Sequence, residues 1–346
     1  MTPAAPEGGK AIVNCRMLGK TGMAVSEVGL GTWELSGDVW GAKDDHVSKC
    51  AMLAGIERGA NFLDTAADYG DGHVEELIGQ LISCRMVVRP SLVISTKVKP
   101  ENNWFTPPPE VPIEDAYRPG WIREQLERSL SRLRTDYVDI LFMHTWSPAW
   151  SDSDDWYLCL RALRDEGKVR AFGISVPDEV PTAANAHVEA GRVDVIQVVY
   201  NAFQQAPEHT LFPLARQRGV GIIARSPFSS GVLVEGWTRD TSFAEGDWRG
   251  RWPLQVQPGW LEEQVCMADL VAPILDSTRL PRPVAALRFI LDNPDVTSVI
   301  PGSADPEHVR TNVKAGSGYR LDAFAQRQLR DLWLRGRVHG TYNGSV

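Results

Sequence analysis

The sequence predicts an α/β fold made of a single (β/α)8 barrel, the TIM barrel, with long loops at its C-terminal face. Eight short β-rich runs alternate with segments of helical periodicity, which is typical of a parallel sheet built from β-α units. The length of 346 residues suits one such barrel. Two connections that follow predicted strands, 99–120 and 234–259, are longer than routine turns and indicate binding loops.

The predicted strands are short apolar stretches at 25–33, 61–64, 92–97, 137–144, 169–175, 193–200, 220–226 and 297–301. Between two of them, Ile122, Leu126, Leu130 and Leu133 recur at helical spacing. A doubly wound sheet is the competing fold, but the stretch GLGTWE lacks the third glycine of its phosphate-binding turn. We therefore expect one barrel domain over residues 15–346 and a flexible N-terminus over residues 1–14.

Composition and charge exclude several classes of protein. A formal net charge of -8 and a pI near 5.5 argue against a nucleic-acid partner, which normally requires a basic face. No apolar run approaches the roughly 18 residues of a membrane span, and the polar N-terminus does not resemble a secretory signal. The five cysteines are odd in number and form no C-x-x-C pair, so we expect reduced thiols in a cytoplasmic protein and no metal site.

Ionisable residues follow three neighbouring predicted strands at the point where each strand ends. Asp64 ends the second strand, Lys97 the third and His144 the fourth, while Tyr69 lies just beyond Asp64. A buried carboxylate is costly without a cationic partner, and Lys97 on the next strand can supply one. Each residue alone is commonly structural, but the ends of barrel strands converge on one face, where active sites lie. The combination therefore favours catalysis.

At these residues the chain resembles the aldo-keto reductase family. The resemblance covers nearly the whole chain and rests on eight stretches in the family's order: RMLGKTGMAVSEVGLGTW, GANFLDTAADYG, STKV, DILFMH, GIS, QVVYN, IIARSPFSSGVL and VIPGS. The family's catalytic set of Asp, Tyr, Lys and His falls on Asp64, Tyr69, Lys97 and His144. The resemblance implies a barrel that reduces an aldehyde or ketone to an alcohol with a nicotinamide cofactor bound at its mouth.

The resemblance also implies the cofactor-binding residues. Ser175 and Gln197 should hold the nicotinamide carboxamide, Arg225 should lie beside the ring, and the stretch from Ser226 to Leu233 should line the pyrophosphate. The full expected set is Gly31, Thr32, Trp33, Ser175, Gln197, Arg225, Ser226, Pro227, Phe228, Ser230, Gly231, Leu233, Gly302, Ser303, His308 and Asn312. Val176 stands where the family commonly has Asn, so we expect one carboxamide hydrogen bond to be lost.

The expected chemistry gives each catalytic residue a role. The cofactor supplies the hydride, and Tyr69 is the predicted proton donor. We expect the Lys97 cation to lower the pKa of Tyr69 from its ordinary value of about 10. Asp64 should keep Lys97 charged, and His144 should donate to the substrate oxygen. Trp33, Trp104 and Trp146 are predicted to wall a pocket for an apolar or ring-shaped carbonyl compound.

The residues after the last predicted strand bear on which nicotinamide cofactor is used. Family members commonly hold the NADP 2′-phosphate with cations after the last strand, where this chain offers Ser303, Asp305 and His308. We expect NADP(H) with weak discrimination, so that NAD(H) is accepted as well. The alternatives are a non-catalytic nicotinamide-binding regulatory subunit and a Schiff-base aldolase that uses Lys97. The chain is expected to be a monomer that acts on a small-molecule carbonyl substrate.

Overall fold

The computed structural model describes residues 13–102, 108, 110–150, 153–251 and 258–339. Two strands form an N-terminal hairpin, β1 (Cys15–Met17) and β2 (Ala24–Ser26). Eight parallel strands follow in sequential order: β3 (Leu30–Gly31), β4 (Phe62–Asp64), β5 (Val93–Val98), β6 (Val138–Met143), β7 (Val169–Ser175), β8 (Val195–Val199), β9 (Gly221–Arg225) and β10 (Ser298–Val299). Their residues are almost all buried, as in a parallel sheet covered on both faces.

The first and last of the eight strands meet and close the barrel. The backbone N–H of Gly29 donates to the carbonyl oxygen of Val299 at 2.9 Å, and the N–H of Gly31 donates to that of Pro301 at 3.0 Å. Parallel bridges join Val28 to Val299 and Gly31 to Gly302. The predicted (β/α)8 fold is therefore confirmed.

Helices surround the barrel in the described part of the chain. They are α1 (Asp45–Ile56), α2 (His73–Ser83), α3 (Ile113–Ala116), α4 (Pro119–Leu133), α5 (Asp155–Asp165), α6 (Asn185–Glu189), α7 (Leu211–Arg218), α8 (Val232–Glu235), α9 (Trp260–Ser277), α10 (Arg282–Leu291), α11 (Pro306–Val313) and α12 (Ala323–Leu334). On α4 the four predicted apolar positions, Ile122, Leu126, Leu130 and Leu133, are all buried, because their spacing places them on one side. None of the described helices has the length and apolar character needed to cross a membrane.

The N-terminal hairpin closes the end of the barrel opposite to the strand carboxyl ends. Leu18, Met23 and Val25 belong to the same buried cluster as barrel-interior residues such as Phe62 and Ile140. The predicted first strand at 25–33 is thus divided, since its beginning pairs in the hairpin and only Leu30–Gly31 enters the barrel. Gly19 has a φ of +50°, and a Cβ there would lie 2.4 Å from the Gly219 carbonyl oxygen, so this turn requires glycine.

The long connection after β9 packs against the loop that follows β3. The backbone N–H of Trp248 donates to the carbonyl oxygen of Val39 at 2.7 Å, and the rings of Trp248 and Trp33 stack with centroids 6.1 Å apart. Arg249 also donates to the carbonyl oxygen of Ser230 at 2.9 Å. The connection therefore joins two loops at the C-terminal face, where both long connections were expected.

Candidate active site

The structure brings the four predicted catalytic residues together at the carboxyl ends of β4, β5 and β6. Asp64 is the last residue of β4, Lys97 lies near the end of β5, and His144 follows β6 directly. Tyr69 lies in the turn after β4, where its ring centroid is 5.9 Å from that of His144. Adjacent parallel strands in register position these side chains at one end of the barrel.

Lys97 is a buried cation whose three hydrogens all have acceptors. Its Nζ lies 2.7 Å from Oδ2 of Asp64, 2.9 Å from the carbonyl oxygen of Thr65 and 3.1 Å from the Tyr69 hydroxyl oxygen. An ammonium group has three donors and no acceptor, so this arrangement fixes its orientation. Because Lys97 donates to the Tyr69 oxygen, the hydroxyl hydrogen of Tyr69 is left to point elsewhere.

The buried Asp64 carboxylate is held by several donors. Besides Lys97, Oδ1 accepts from the Ser95 hydroxyl at 2.6 Å and from Nε2 of Gln197 at 2.9 Å. The Asp64 side chain is only 3% exposed. These bonds compensate for the loss of water around a buried charge. Gln197 thereby turns its amide nitrogen towards Asp64, which leaves its carbonyl oxygen to accept from a ligand.

The charges around Tyr69 correct one expectation. Burial alone would lower the pKa of Lys97, but Asp64 and Tyr69 raise it above its ordinary value. Burial raises the pKa of Tyr69 to about 12, and the Lys97 cation offsets only part of that increase. The predicted net lowering was wrong, because Tyr69 loses more hydration than a single cation 3.1 Å away restores. The protein therefore holds Tyr69 as a neutral phenol.

A second carboxylate at the site was not among the predicted residues. Asp68 lies directly before Tyr69, and its Oδ1 is 3.1 Å from Nδ1 of His144. Burial would raise the pKa of Asp68, but the nearby His144 and Lys97 charges lower it overall. The only sequence feature that could have indicated a role for Asp68 was its position next to Tyr69. That position did not predict its contact with His144.

These residues open onto a cavity of about 1020 Å³ at the C-terminal face of the barrel. This volume is at the upper end of the range typical of small-molecule sites. Of the sixteen predicted cofactor residues, fifteen line the cavity: Gly31, Thr32, Trp33, Ser175, Gln197, Arg225, Ser226, Pro227, Phe228, Ser230, Gly231, Gly302, Ser303, His308 and Asn312. Leu233 does not, because it is 2% exposed and packs into the core behind the cavity wall.

The predicted pyrophosphate segment has an unusual backbone. Ser226, Ser229 and Ser230 have φ values of 52°, 46° and 61°, and Gly231 has a φ of 102°. Non-glycine residues seldom adopt such values, and backbone N–H groups in turns of this kind can form concave anion-binding sites. The backbone of this segment and the orientation of Gln197 fit a site for a nicotinamide dinucleotide. No group of three His, Cys, Asp or Glu residues that could hold a metal occurs in the described ranges.

The opposite end of the cavity is more open. Asp305 caps α11 by accepting from the backbone N–H of Glu307 at 2.7 Å. His308 is 74% exposed, with its Nε2 3.9 Å from Asp305, and Arg310 pairs with Glu307. The basic groups expected to hold a 2′-phosphate are therefore next to carboxylates or replaced by neutral residues.

The three tryptophans predicted for the substrate pocket have different positions. Trp33 lines the cavity, with its ring centroid 6.4 Å from that of Tyr69. Trp104 lies outside the described residues. Trp146 corrects the prediction, because it is 1% exposed and packs in an aromatic core cluster with Trp150 and Trp156. Sequence reasoning also missed Trp40, which lines the cavity and contacts the Trp33 ring edge-on.

Comparisons with known proteins identify the family of the chain. The model of the Aldo/keto reductase family matches residues 27–333. The chain is 30% identical over 306 residues to the NADH-specific methylglyoxal reductase of Escherichia coli (strain K12), covering 86% of this chain and 92% of that protein. It is 28% identical to a probable voltage-gated potassium channel subunit beta of Arabidopsis thaliana, covering 86% of this chain and 89% of that one.

A solved structure gives the same result for the fold. The glycerol dehydrogenase of Gluconobacter oxydans superposes with a TM-score of 0.74 at 26% identity, covering 94% of this chain and 96% of that chain. The family match extends over most of the barrel and includes all four predicted catalytic positions. The chain therefore belongs to the aldo/keto reductase family and is an oxidoreductase.

Proposed function

We propose that this protein reduces an aldehyde or ketone to an alcohol with a reduced nicotinamide cofactor, and that Tyr69 donates the proton. The observation that carries the proposal is the direction of the hydrogen bonds around Lys97. All three of its hydrogens have acceptors, one of which is the Tyr69 hydroxyl oxygen at 3.1 Å. The Tyr69 hydrogen can then point into the cavity, as required of a general acid.

Each residue of the site contributes one task. The cofactor, when bound, supplies the hydride to the carbonyl carbon. Tyr69 gives its proton to the carbonyl oxygen, and the neighbouring Lys97 cation stabilises the phenolate that forms. Asp64 holds Lys97 in place through the 2.7 Å ion pair. His144 lines the cavity beside Tyr69 and orients the substrate oxygen.

The predicted cofactor residues suit both nicotinamide dinucleotides. Gln197 and Ser175 would hold the carboxamide, and the backbone of 226–231 would hold the pyrophosphate. Near α11, Asp305 and Glu307 offset His308 and Arg310, so a 2′-phosphate would find little excess positive charge. We propose that NADH and NADPH are both accepted with weak discrimination. The acceptance of NADH has a counterpart in a relative that is named NADH-specific.

The walls beside Tyr69 favour an apolar or ring-shaped carbonyl compound. Trp33 and Trp40 line the cavity on one side, and Val176 lines it near the predicted nicotinamide position. Aromatic and aliphatic side chains of this kind bind apolar ligand surface, and a few polar groups set its orientation. A monomeric state and a cytoplasmic location remain predictions.

The two alternative functions have different support. A Schiff-base aldolase needs a neutral Lys97, whereas the raised pKa of Lys97 and its pairing with Asp64 favour the cation. A regulatory role has a counterpart in the relative named as a potassium channel subunit beta. The reductase proposal is preferred because the hydrogen bonds orient a proton donor, which regulatory binding alone does not require.

A carbonyl panel with an isotopic label tests the proposal. Aldehydes and ketones are supplied with NADH or NADPH carrying deuterium on either face of nicotinamide C4, and products are analysed by mass spectrometry. We expect deuterium on the alcohol carbon from one of the two faces, and faster turnover with aromatic than with small aliphatic aldehydes. Cofactor binding without turnover of any carbonyl would support the regulatory role. Borohydride trapping of a substrate on Lys97 without cofactor would support the aldolase.

A further inference from the structure

The cavity offers few cations to a ligand that carries phosphate groups. Among its described lining residues, the only lysine and arginine side chains are those of Lys43 and Arg225. Arg225 donates to the carbonyl oxygen of Val176 at 3.0 Å and also pairs with the Asp178 carboxylate. The segments that follow β3, β9 and β10 line the cavity with carboxylates, those of Glu34, Asp38, Glu235 and Asp305. A dinucleotide with a negative charge on each phosphate therefore enters a cavity in which acidic groups predominate.

Lys43 lies in the loop between β3 and α1 and is only loosely paired. Its Nζ is 3.9 Å from Oε1 of Glu34, and the two side chains are 25% and 29% exposed. This distance is too long for a hydrogen bond, so in the described part of the chain Glu34 holds the ammonium group by charge alone. Lys43 can therefore turn its N–H donors towards another acceptor without breaking a hydrogen bond to Glu34.

The loop between β3 and α1 lies beside the predicted pyrophosphate segment, 226–231. Two successive residues of the connection after β9 join them. The backbone N–H of Trp248 donates to the carbonyl oxygen of Val39 at 2.7 Å. Nη1 of Arg249 donates to the carbonyl oxygen of Ser230 at 2.9 Å. The two loops are therefore neighbours at the mouth of the cavity.

A glycine keeps the space between these two loops open. In the barrel β10 lies between β9 and β3, and Gly302 follows it and forms a bridge with Gly31. A Cβ added to Gly302 would lie 3.8 Å from Cβ of Glu34. A larger side chain would occupy the space beside Glu34, whereas glycine leaves that space open to the cavity that Glu34 and Lys43 line.

We propose that Lys43 is a further cofactor-binding residue, whose ammonium group exchanges Glu34 for the pyrophosphate of the dinucleotide. This inference rests on the proposed function, because it assigns a residue to the cofactor proposed there. The backbone N–H groups of 226–231 donate hydrogen bonds but carry no formal charge, and Lys43 adds a full positive charge from the neighbouring loop. NADH and NADPH share the pyrophosphate, so Lys43 strengthens the binding of both without distinguishing them.

Glu34 and Lys43 should affect cofactor binding in opposite directions. The Glu34 carboxylate competes with the phosphates for the ammonium group and repels them as a like charge. Removing its charge should strengthen binding, whereas removing the charge of Lys43 should weaken it. Lys49→Met is the matched control for Lys43→Met. It removes the same charge from α1, where Lys49 donates to Oε1 of Gln80 at 3.0 Å and does not line the cavity.

Isothermal titration calorimetry of the full chain with NADH and with NADPH, without a carbonyl compound, tests the inference. We expect Lys43→Met to raise the Kd of both cofactors by about five- to fiftyfold and by the same factor, a range between that of an exposed ion pair and that of a charged hydrogen bond. Lys43→Arg, which keeps the charge, and the Lys49→Met control should each stay within about threefold of native. An unchanged Kd in Lys43→Met would overturn the inference. An increase for NADPH alone would overturn it as well, because Lys43 would then bind the 2′-phosphate.

Glu34→Gln tests the exchange of partners. It should lower the Kd of both cofactors by about two- to tenfold, and an unchanged or raised Kd would contradict the exchange. Added potassium chloride should weaken binding less steeply in Lys43→Met than in the native protein, because one ion pair fewer is screened. Thermal unfolding confirms that each variant is folded.

These binding measurements separate the inference from the reductase proposal. A raised Kd in Lys43→Met would support the role of Lys43 even if no carbonyl compound were reduced. An unchanged Kd in a protein that reduces carbonyl compounds would overturn the role of Lys43 and leave the reductase proposal intact. A native protein that binds neither cofactor would overturn both.

Discussion

The two ends of the cavity differ in how firmly their polar groups are held. At the catalytic end, Asp64 and Lys97 are buried, and each side chain has three hydrogen-bond partners. At the end near α11, His308 is exposed, and its nearest carboxylate oxygen is 3.9 Å away. A fixed geometry is needed for proton transfer, whereas recognition of a phosphate in solvent needs only net charge and donors. We therefore expect substitutions at the catalytic end to affect activity strongly, and substitutions near α11 to change the cofactor preference.

The largest effect is expected for Lys97→Met at the catalytic end. Loss of the cation should lower kcat by about 10² to 10⁴, the usual contribution of an assisted general acid. It should also lower the free energy of unfolding by about 3–5 kcal/mol, because Asp64 would remain buried without its partner. Denaturant unfolding and steady-state turnover measure the two effects.

Lys43→Met is the matched control for stability. Lys43 also lines the cavity, but it is partly exposed, and its Nζ is 3.9 Å from Glu34. Its loss should change the free energy of unfolding by less than about 1 kcal/mol. If both lysine variants lost the same free energy of unfolding, the side chains at the catalytic end would not be held more firmly than those in the rest of the cavity.

The second prediction concerns pH and follows from the pKa of Tyr69, which burial raises to about 12. A raised pKa keeps the phenol protonated, so the proton donor for reduction is present throughout the neutral and mildly alkaline range. The kcat for carbonyl reduction should therefore show no alkaline decrease up to about pH 10. Alcohol oxidation needs the phenolate, and its kcat should increase with pH over the same range. An alkaline decrease in reduction centred near pH 8 would show that Tyr69 is not the donor.

The smallest effect is expected for His308→Arg at the exposed end. A permanent cation at the start of α11 could pair with a 2′-phosphate, where a charged hydrogen bond is worth roughly 1.5–3 kcal/mol. The kcat/KM ratio of NADPH to NADH should rise by about ten- to a hundredfold. His308→Gln, which adds no charge, is the control. A native preference for NADPH beyond about 10³ would show that other residues already hold the phosphate.

The sequence predicted the barrel and the convergence of the candidate catalytic residues at one of its ends, because both depend on local patterns. Strands that end in Asp64, Lys97 and His144 must bring these residues to one face once the strands are parallel and adjacent. The environment of each side chain depended on tertiary packing. Trp146, for example, lies in the core because its ring packs against Tyr117, Trp150 and Trp156.

The pKa of Tyr69 and the partner of Asp68 were also beyond local patterns. The sequence showed that a cation would lie near Tyr69, but the balance between that cation and burial required the folded cavity. Asp68 was visible as a residue, whereas its contact with His144 depended on how the turn after β4 meets the end of β6. Both properties depend on side chains from several strands and loops, so no single stretch of sequence could predict them.

The most direct test of the central claim is a single-turnover measurement on Tyr69→Phe loaded with reduced cofactor. Nicotinamide absorbance reports hydride transfer after rapid mixing with an aldehyde, and a titration gives the cofactor Kd. Tyr157→Phe, which removes the same atom from a ring packed against Phe172, is the matched control. The account predicts that hydride transfer slows by about 10² to 10⁴ in Tyr69→Phe, with Kd within about threefold of native and the control unchanged. Native-rate hydride transfer in Tyr69→Phe would contradict it.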